Sequence, residues 1–113
     1  MQFSQIEDVA MRILQNTRGK FLFPYQIFTR IREIDPSLAS RIETAYPTEP
    51  GNPIMGEGGR IYFSPASFVA HALDILAETH SQIRQEWLDT TDIEIEGILP
   101  GNEEATSIWA WKE

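Results

Sequence analysis

No cysteine occurs among the 113 residues. Its absence excludes a disulfide framework, a thiolate nucleophile and a thiolate-ligated metal, and it suits the reducing cytoplasm, where the protein is expected to reside. No run approaches the ~18 apolar residues needed to span a bilayer. The opening MQFSQIEDVAMRIL has no basic stretch ahead of an apolar one, so no signal peptide is read and no membrane association is expected. Positive charge is scarce in the second half. Residues 1–63 carry seven Lys/Arg and seven acids and are neutral, whereas residues 64–113 carry only Arg84 and Lys112 against ten acids and so hold the entire net charge of −8. Such a chain repels polyanions at long range unless a local basic patch faces them.

What is present is enough for one folded domain spanning 1–113. A hydrophobic content of 42% and an aromatic content of 11% belong to a globular chain, and this length buries a core without staples. Ser4, followed three residues later by Glu7, has the pattern of a capping box. Ile6, Val9, Ala10, Ile13 and Leu14 then recur at helical spacing, and the first helix should stop near Asn16, before Gly19. Lys20–Phe23 reads as a short extended segment. Pro24 suits the first position of a second helix whose apolar face is Ile27, Phe28, Ile31 and Ile34. Asp35-Pro36 supplies an N-cap and first turn for a third helix, 36–46, with Leu38, Ile42 and Ala45 inward. Ser64-Pro65 repeats that pattern for the longest helix, predicted over 65–88, with Val69, Ala72, Leu73, Leu76, His80, Ile83 and Trp87 along one face; Thr79-His80-Ser81 are only moderate helix formers within it. Asp92–Glu96 and Ser107–Trp111 alternate with period two around a Pro100-Gly101 turn, which predicts a C-terminal hairpin over 92–112. The expected fold class is α+β, with four helices and this hairpin.

Chemistry-bearing residues are few. Gly56-Glu57-Gly58-Gly59 feeds an extended run rather than a helix, has no following lysine and carries a carboxylate, so it is not a phosphate cradle. His71, Asp74 and Glu78 fall on one side of the fourth helix, opposite its apolar stripe, and read as a solvated face rather than a metal site. His80 sits in the apolar stripe as a packing residue, and Glu94 and Glu96 read as the wet side of a strand. No serine has a His–Asp relay. Catalysis, cofactors and metals are therefore not expected.

The order helix, short strand, helix, helix, loop, strand over residues 4–80 resembles a winged helix. The resemblance implies a winged-helix-like portion over 4–64. It also implies a DNA-binding reading in which helix 36–46 presents Ser37, Ser40, Arg41 and Thr44 to a groove, residues 50–60 form the wing, and Arg30 and Arg60 add phosphate contacts. Residues 12–41 support it with six Lys/Arg against two acids. The same architecture also serves as a protein-docking module. The leading expectation is a non-catalytic adaptor acting through protein contacts, with Trp109 and Trp111 as core residues or, alternatively, partner anchors, and the long helix as the candidate homodimer surface. Nucleic acid is a partner only under the DNA-binding alternative.

Overall fold

The computed structural model describes residues 1–47, 64–90, 96–98 and 105–112. After a 3₁₀ turn over Phe3–Ile6, the chain forms α1 (Glu7–Asn16), α2 (Pro24–Ile34), α3 (Pro36–Ala45), α4 (Pro65–Thr79), β1 (Ile83–Asp89) and β2 (Ala105–Trp111). The two strands pair antiparallel, and Leu22 adds an isolated bridge to Trp109 on the far side of β2. This is the α+β class expected, with its two-stranded sheet near the C-terminus. Among the described residues, no helix is long and apolar enough to cross a membrane.

The helix starts that involve proline fall where local chemistry places them. The Leu38 N–H donates to Asp35 Oδ1 at 3.0 Å and the Ser67 N–H to Ser64 Oγ at 3.1 Å, each satisfying an otherwise orphaned donor ahead of a first-turn proline. The first helix begins differently. Gln2, not Ser4, opens the 3₁₀ turn, with its N–H donating to Gln5 Oε1 at 2.7 Å. Glu7 and Asp8 then occupy the first turn of α1, where carboxylates favour the positive end of the helix dipole. At the other end, Thr17 donates its hydroxyl to the Ile13 carbonyl at 2.9 Å, and Gly19 takes φ 79°, a left-handed value that a side chain would resist.

The fourth helix ends at Thr79, not at residue 88. Three donors converge on the Leu76 carbonyl: the His80 N–H at 3.0 Å, the Thr79 hydroxyl at 3.3 Å and, in the tautomer that carries its proton there, His80 Nδ1 at 3.1 Å. These side chains terminate the helix by satisfying its last turn, and His80 becomes extended (φ −126°, ψ 96°). Residues 83–89 then leave the helical stripe and pair with β2. Their partners run from Ile83 opposite Trp111 to Asp89 opposite Ala105. Trp109 pairs with Gln85 of β1; of the expected hairpin strand 92–96, residues 92–95 lie outside the described residues, and Glu96 lies in a turn with Gly97.

One buried cluster joins all these elements. It contains Ile6, Ile13 and Leu14; Leu22; Ile27, Phe28 and Ile31; Leu38 and Ile42; Phe68, Val69, Leu73 and Leu76; and Ile83 and Trp109. The fourth helix is its axis, with nine of its fifteen residues buried. Ile34, expected on the buried face of α2, is instead 45% exposed, because it sits at the last turn where α2 gives way to the Asp35 cap. Ala45, expected in the α3 stripe, is exposed at the final turn of that helix.

Candidate functional site

The sheet has two faces of different character. Side chains alternate along each strand, and directly opposed residues point the same way. Ile83, Gln85 and Trp87 therefore share a face with Trp111, Trp109 and Ser107, while Arg84, Glu86 and Leu88 share the other with Ala110, Ile108 and Thr106. The first face lies on the helices through Ile83 and Trp109, both in the core. Trp109 is fully buried, and its indole N–H donates to Ser107 Oγ at 3.0 Å. It is a core residue and presents no surface in this structure. Trp111 is half-buried and packs against the core.

Trp87 is the counterpart that periodicity misplaced. Assigned to the buried stripe of a longer helix, it stands on β1 with 61% of its surface exposed. It follows Trp109's face of the sheet but lies opposite the small Ser107, four residues beyond Ile83 at the helix-covered end. Leu88 is 37% exposed on the other face. Among the described residues, β1 has a strand on one side only.

At the opposite end of the sheet, a cleft of about 280 Å³ is lined by Gly19, Phe21, Arg84, Ala110, Trp111 and Lys112. Its framework is set by backbone. The Leu22 and Trp109 N–H groups each donate to the other's carbonyl at 2.8 Å, the Gly19 N–H donates to Trp111 O at 3.1 Å, and the Lys112 N–H donates to Gln82 O at 2.8 Å. Leu22 faces the core, so Phe21 projects to the other face, next to Ala110 and across it from Arg84. The small Ala110 side chain leaves room for the Arg84 guanidinium to reach over the Phe21 ring, 5.5 Å from its centroid. Arg84 also pairs with Glu86 at 3.3 Å, both side chains being about half exposed. Sequence reasoning missed Phe21, Arg84 and Lys112 as a group. They come from three separate chain segments, and only the bridge at Leu22 and the β1–β2 register bring them together.

The residues of the DNA-binding alternative are only partly assembled. Ser37, Ser40, Arg41 and Thr44 are all exposed on α3, as the helical pattern predicts. Thr44 donates its hydroxyl to the Ser40 carbonyl at 2.9 Å. Glu43 lies among them and pairs with Arg32 of α2 at 3.0 Å. Arg30 is two residues from Arg32, roughly 200° around the helix. It lines a small groove with Ile13, Asn16 and Thr17 of the α1 end and with Glu33 and Ile34. Arg30 and the α3 face therefore do not form one stripe. Arg60 and the 50–60 wing lie outside the described residues, as do residues 61–63, where the winged-helix order expects its closing strand.

The remaining candidates are placed as follows. His71 is half-buried beside Phe3, with ring centroids 6.3 Å apart, while Asp74 and Glu78 are exposed on α4. No group of three or more His, Cys, Asp or Glu capable of holding a metal occurs among the described residues. His80 caps α4 rather than packing in its stripe. Glu94 lies outside the described residues, and Glu96 is exposed. Comparison of the chain with protein-family models, curated proteins and solved structures finds no match.

Proposed function

We propose that this protein is a small, non-catalytic interaction module that docks a protein partner along the outer part of its C-terminal sheet. The observation that carries the reading is Trp87, a large indole 61% exposed near the middle of β1, with Leu88 next to it. Tryptophan is enriched at binding hot spots because it removes a large apolar area from water on association. A strand that pairs on one side only among the described residues, as β1 does, adds backbone donors and acceptors to such a surface. A second copy of the chain is one candidate partner, and β1 suits it better than α4, most of which is inside the core. A cytoplasmic setting belongs to the same proposal and rests on the cysteine-free sequence.

Trp87→Ala tests it. The side chain is mostly in solvent, so the unfolding free energy should stay within about 0.5 kcal/mol of the wild type. Self-association in sedimentation, or the set of proteins retained on the immobilised chain, should be lost or weakened by about tenfold or more. Equal retention by both forms would remove the basis of the reading.

The second reading, a DNA-binding regulator, is favoured by the shared exposure of Ser37, Ser40, Arg41 and Thr44 on α3. Under the adaptor proposal, duplex DNA binds no tighter than the non-specific range of ~10⁻⁴–10⁻⁶ M at physiological salt, and Arg41→Ala leaves that value unchanged. Tight, sequence-selective binding abolished by Arg41→Ala would establish the regulator instead.

A further inference from the structure

We infer that the cleft between Phe21, Arg84, Trp111 and Lys112 is a docking site for a short acidic peptide segment of a protein partner, with a carboxylate held by Arg84 and Lys112 and an adjacent apolar side chain laid on Phe21. The inference deepens the interaction-module reading and rests on it. The first argument is charge. In a chain of net charge −8, the described residues lining this cleft include two cations and no acid. Arg18 and Lys20, both exposed, flank Gly19 in the sequence. A positive cleft on an acidic protein selects a ligand that is negative locally but short, because an extended polyanion also meets the repulsion of the rest of the surface.

The second argument is shape and surface. Phe21 is 37% exposed, so its ring presents apolar area beside the two cations. The volume of about 280 Å³ is close to the lower end of ligand sites. That admits one or two side chains, not a large cofactor. Arg84 is already positioned: its guanidinium rests over the Phe21 ring and touches Glu86 with one nitrogen, which leaves other N–H donors for an incoming carboxylate. Little ordering is then required when the ligand arrives.

Fluorescence anisotropy with three labelled probes tests the inference: the peptide GDEFDEG, its charge-reversed form GKKFKKG, and a short oligothymidylate. The acidic peptide should bind saturably with Kd below about 1 mM, weakening as salt is raised, while the basic peptide should not bind. Arg84→Gln combined with Lys112→Gln should weaken the acidic peptide by about tenfold, as two exposed ion pairs would. Both side chains are exposed, so thermal unfolding of this variant should match the wild type and exclude a folding defect. Trp87→Ala should leave peptide binding unchanged. Lack of saturable acidic-peptide binding, or indifference to the double substitution, overturns the inference. Tighter binding of oligothymidylate than of the acidic peptide also overturns it and makes the cleft a nucleic-acid site. If Trp87→Ala changes neither self-association nor partner retention while the cleft still takes the peptide, the sheet-edge reading fails and the cleft stands. The converse pattern sinks the cleft alone.

Discussion

Trp109→Ala should lower the unfolding midpoint by about 10–25 °C, the largest effect of any tryptophan replacement in this chain. Trp109 is fully buried, the largest of the enclosed side chains, and sits where the sheet meets the helices. Truncating a buried indole costs ~3–5 kcal/mol, through lost transfer free energy and the cavity left behind. Small domains have only ~5–15 kcal/mol in total. The substitution also leaves Ser107 Oγ without the indole donor that now lies 3.0 Å away. Trp111→Ala, half-buried at the cleft, should cost less than half as much, and Trp87→Ala almost nothing. Calorimetry on the three single variants gives the ranking. A Trp109 variant as stable as the wild type, or a Trp87 variant as unstable as Trp109→Ala, would show that β1 and β2 are not registered as described.

Phe68→Ala should be nearly as damaging, at ~3–5 kcal/mol. Phe68 is fully buried near the start of α4, and two rings pack on it: Phe3 at 5.0 Å between centroids and Tyr46 at 4.8 Å with planes 20° apart. The Tyr46 hydroxyl donates to the Met1 carbonyl at 3.1 Å. This stack fastens the N-terminal 3₁₀ turn and the end of α3 to α4. Aromatic pairs contribute ~0.5–1.5 kcal/mol beyond the area they bury. A double-mutant cycle between Tyr46→Ala and Phe68→Ala should therefore give a coupling of that size in urea unfolding. Strict additivity would mean that the rings do not interact, while Tyr46→Phe, which removes the exposed hydrogen bond to Met1, should cost about 1 kcal/mol or less.

The helices were largely legible because their signals are local. Asp35-Pro36 and Ser64-Pro65 act within four residues of themselves, and the caps form as the pattern requires. The spacing of Ala10, Ile13 and Leu14, or of Leu38 and Ile42, is likewise decided by the helical period, and these residues are buried. The exposed set on α3, Ser37, Ser40, Arg41 and Thr44, follows from the same periodicity. Where helical and extended periods both accommodate a segment, the sequence is ambiguous. Ile83 and Trp87 are four apart, which suits one side of a helix, but they are also an even number apart, which suits one side of a strand. Arg84, Gln85 and Glu86 between them are good helix formers and bias the reading the wrong way.

Residue content and local pattern alone determined that this chain does without thiol chemistry, carries its excess negative charge in the second half and belongs to the α+β class, with α3 and α4 each beginning at a capped proline. Only the tertiary structure decided that residues 83–89 are a strand, because that outcome depends on pairing with residues 105–111, some twenty positions away. Cross-strand packing and backbone hydrogen bonds with a distant segment outweigh the weak propensities of Arg84, Gln85 and Glu86. That single pairing turns Trp87 outward, keeps Trp109 inside and carries Arg84 to the Phe21 ring. The candidate surface was illegible for the same reason: Phe21, Arg84 and Lys112 become neighbours only through long-range contacts that no local pattern encodes.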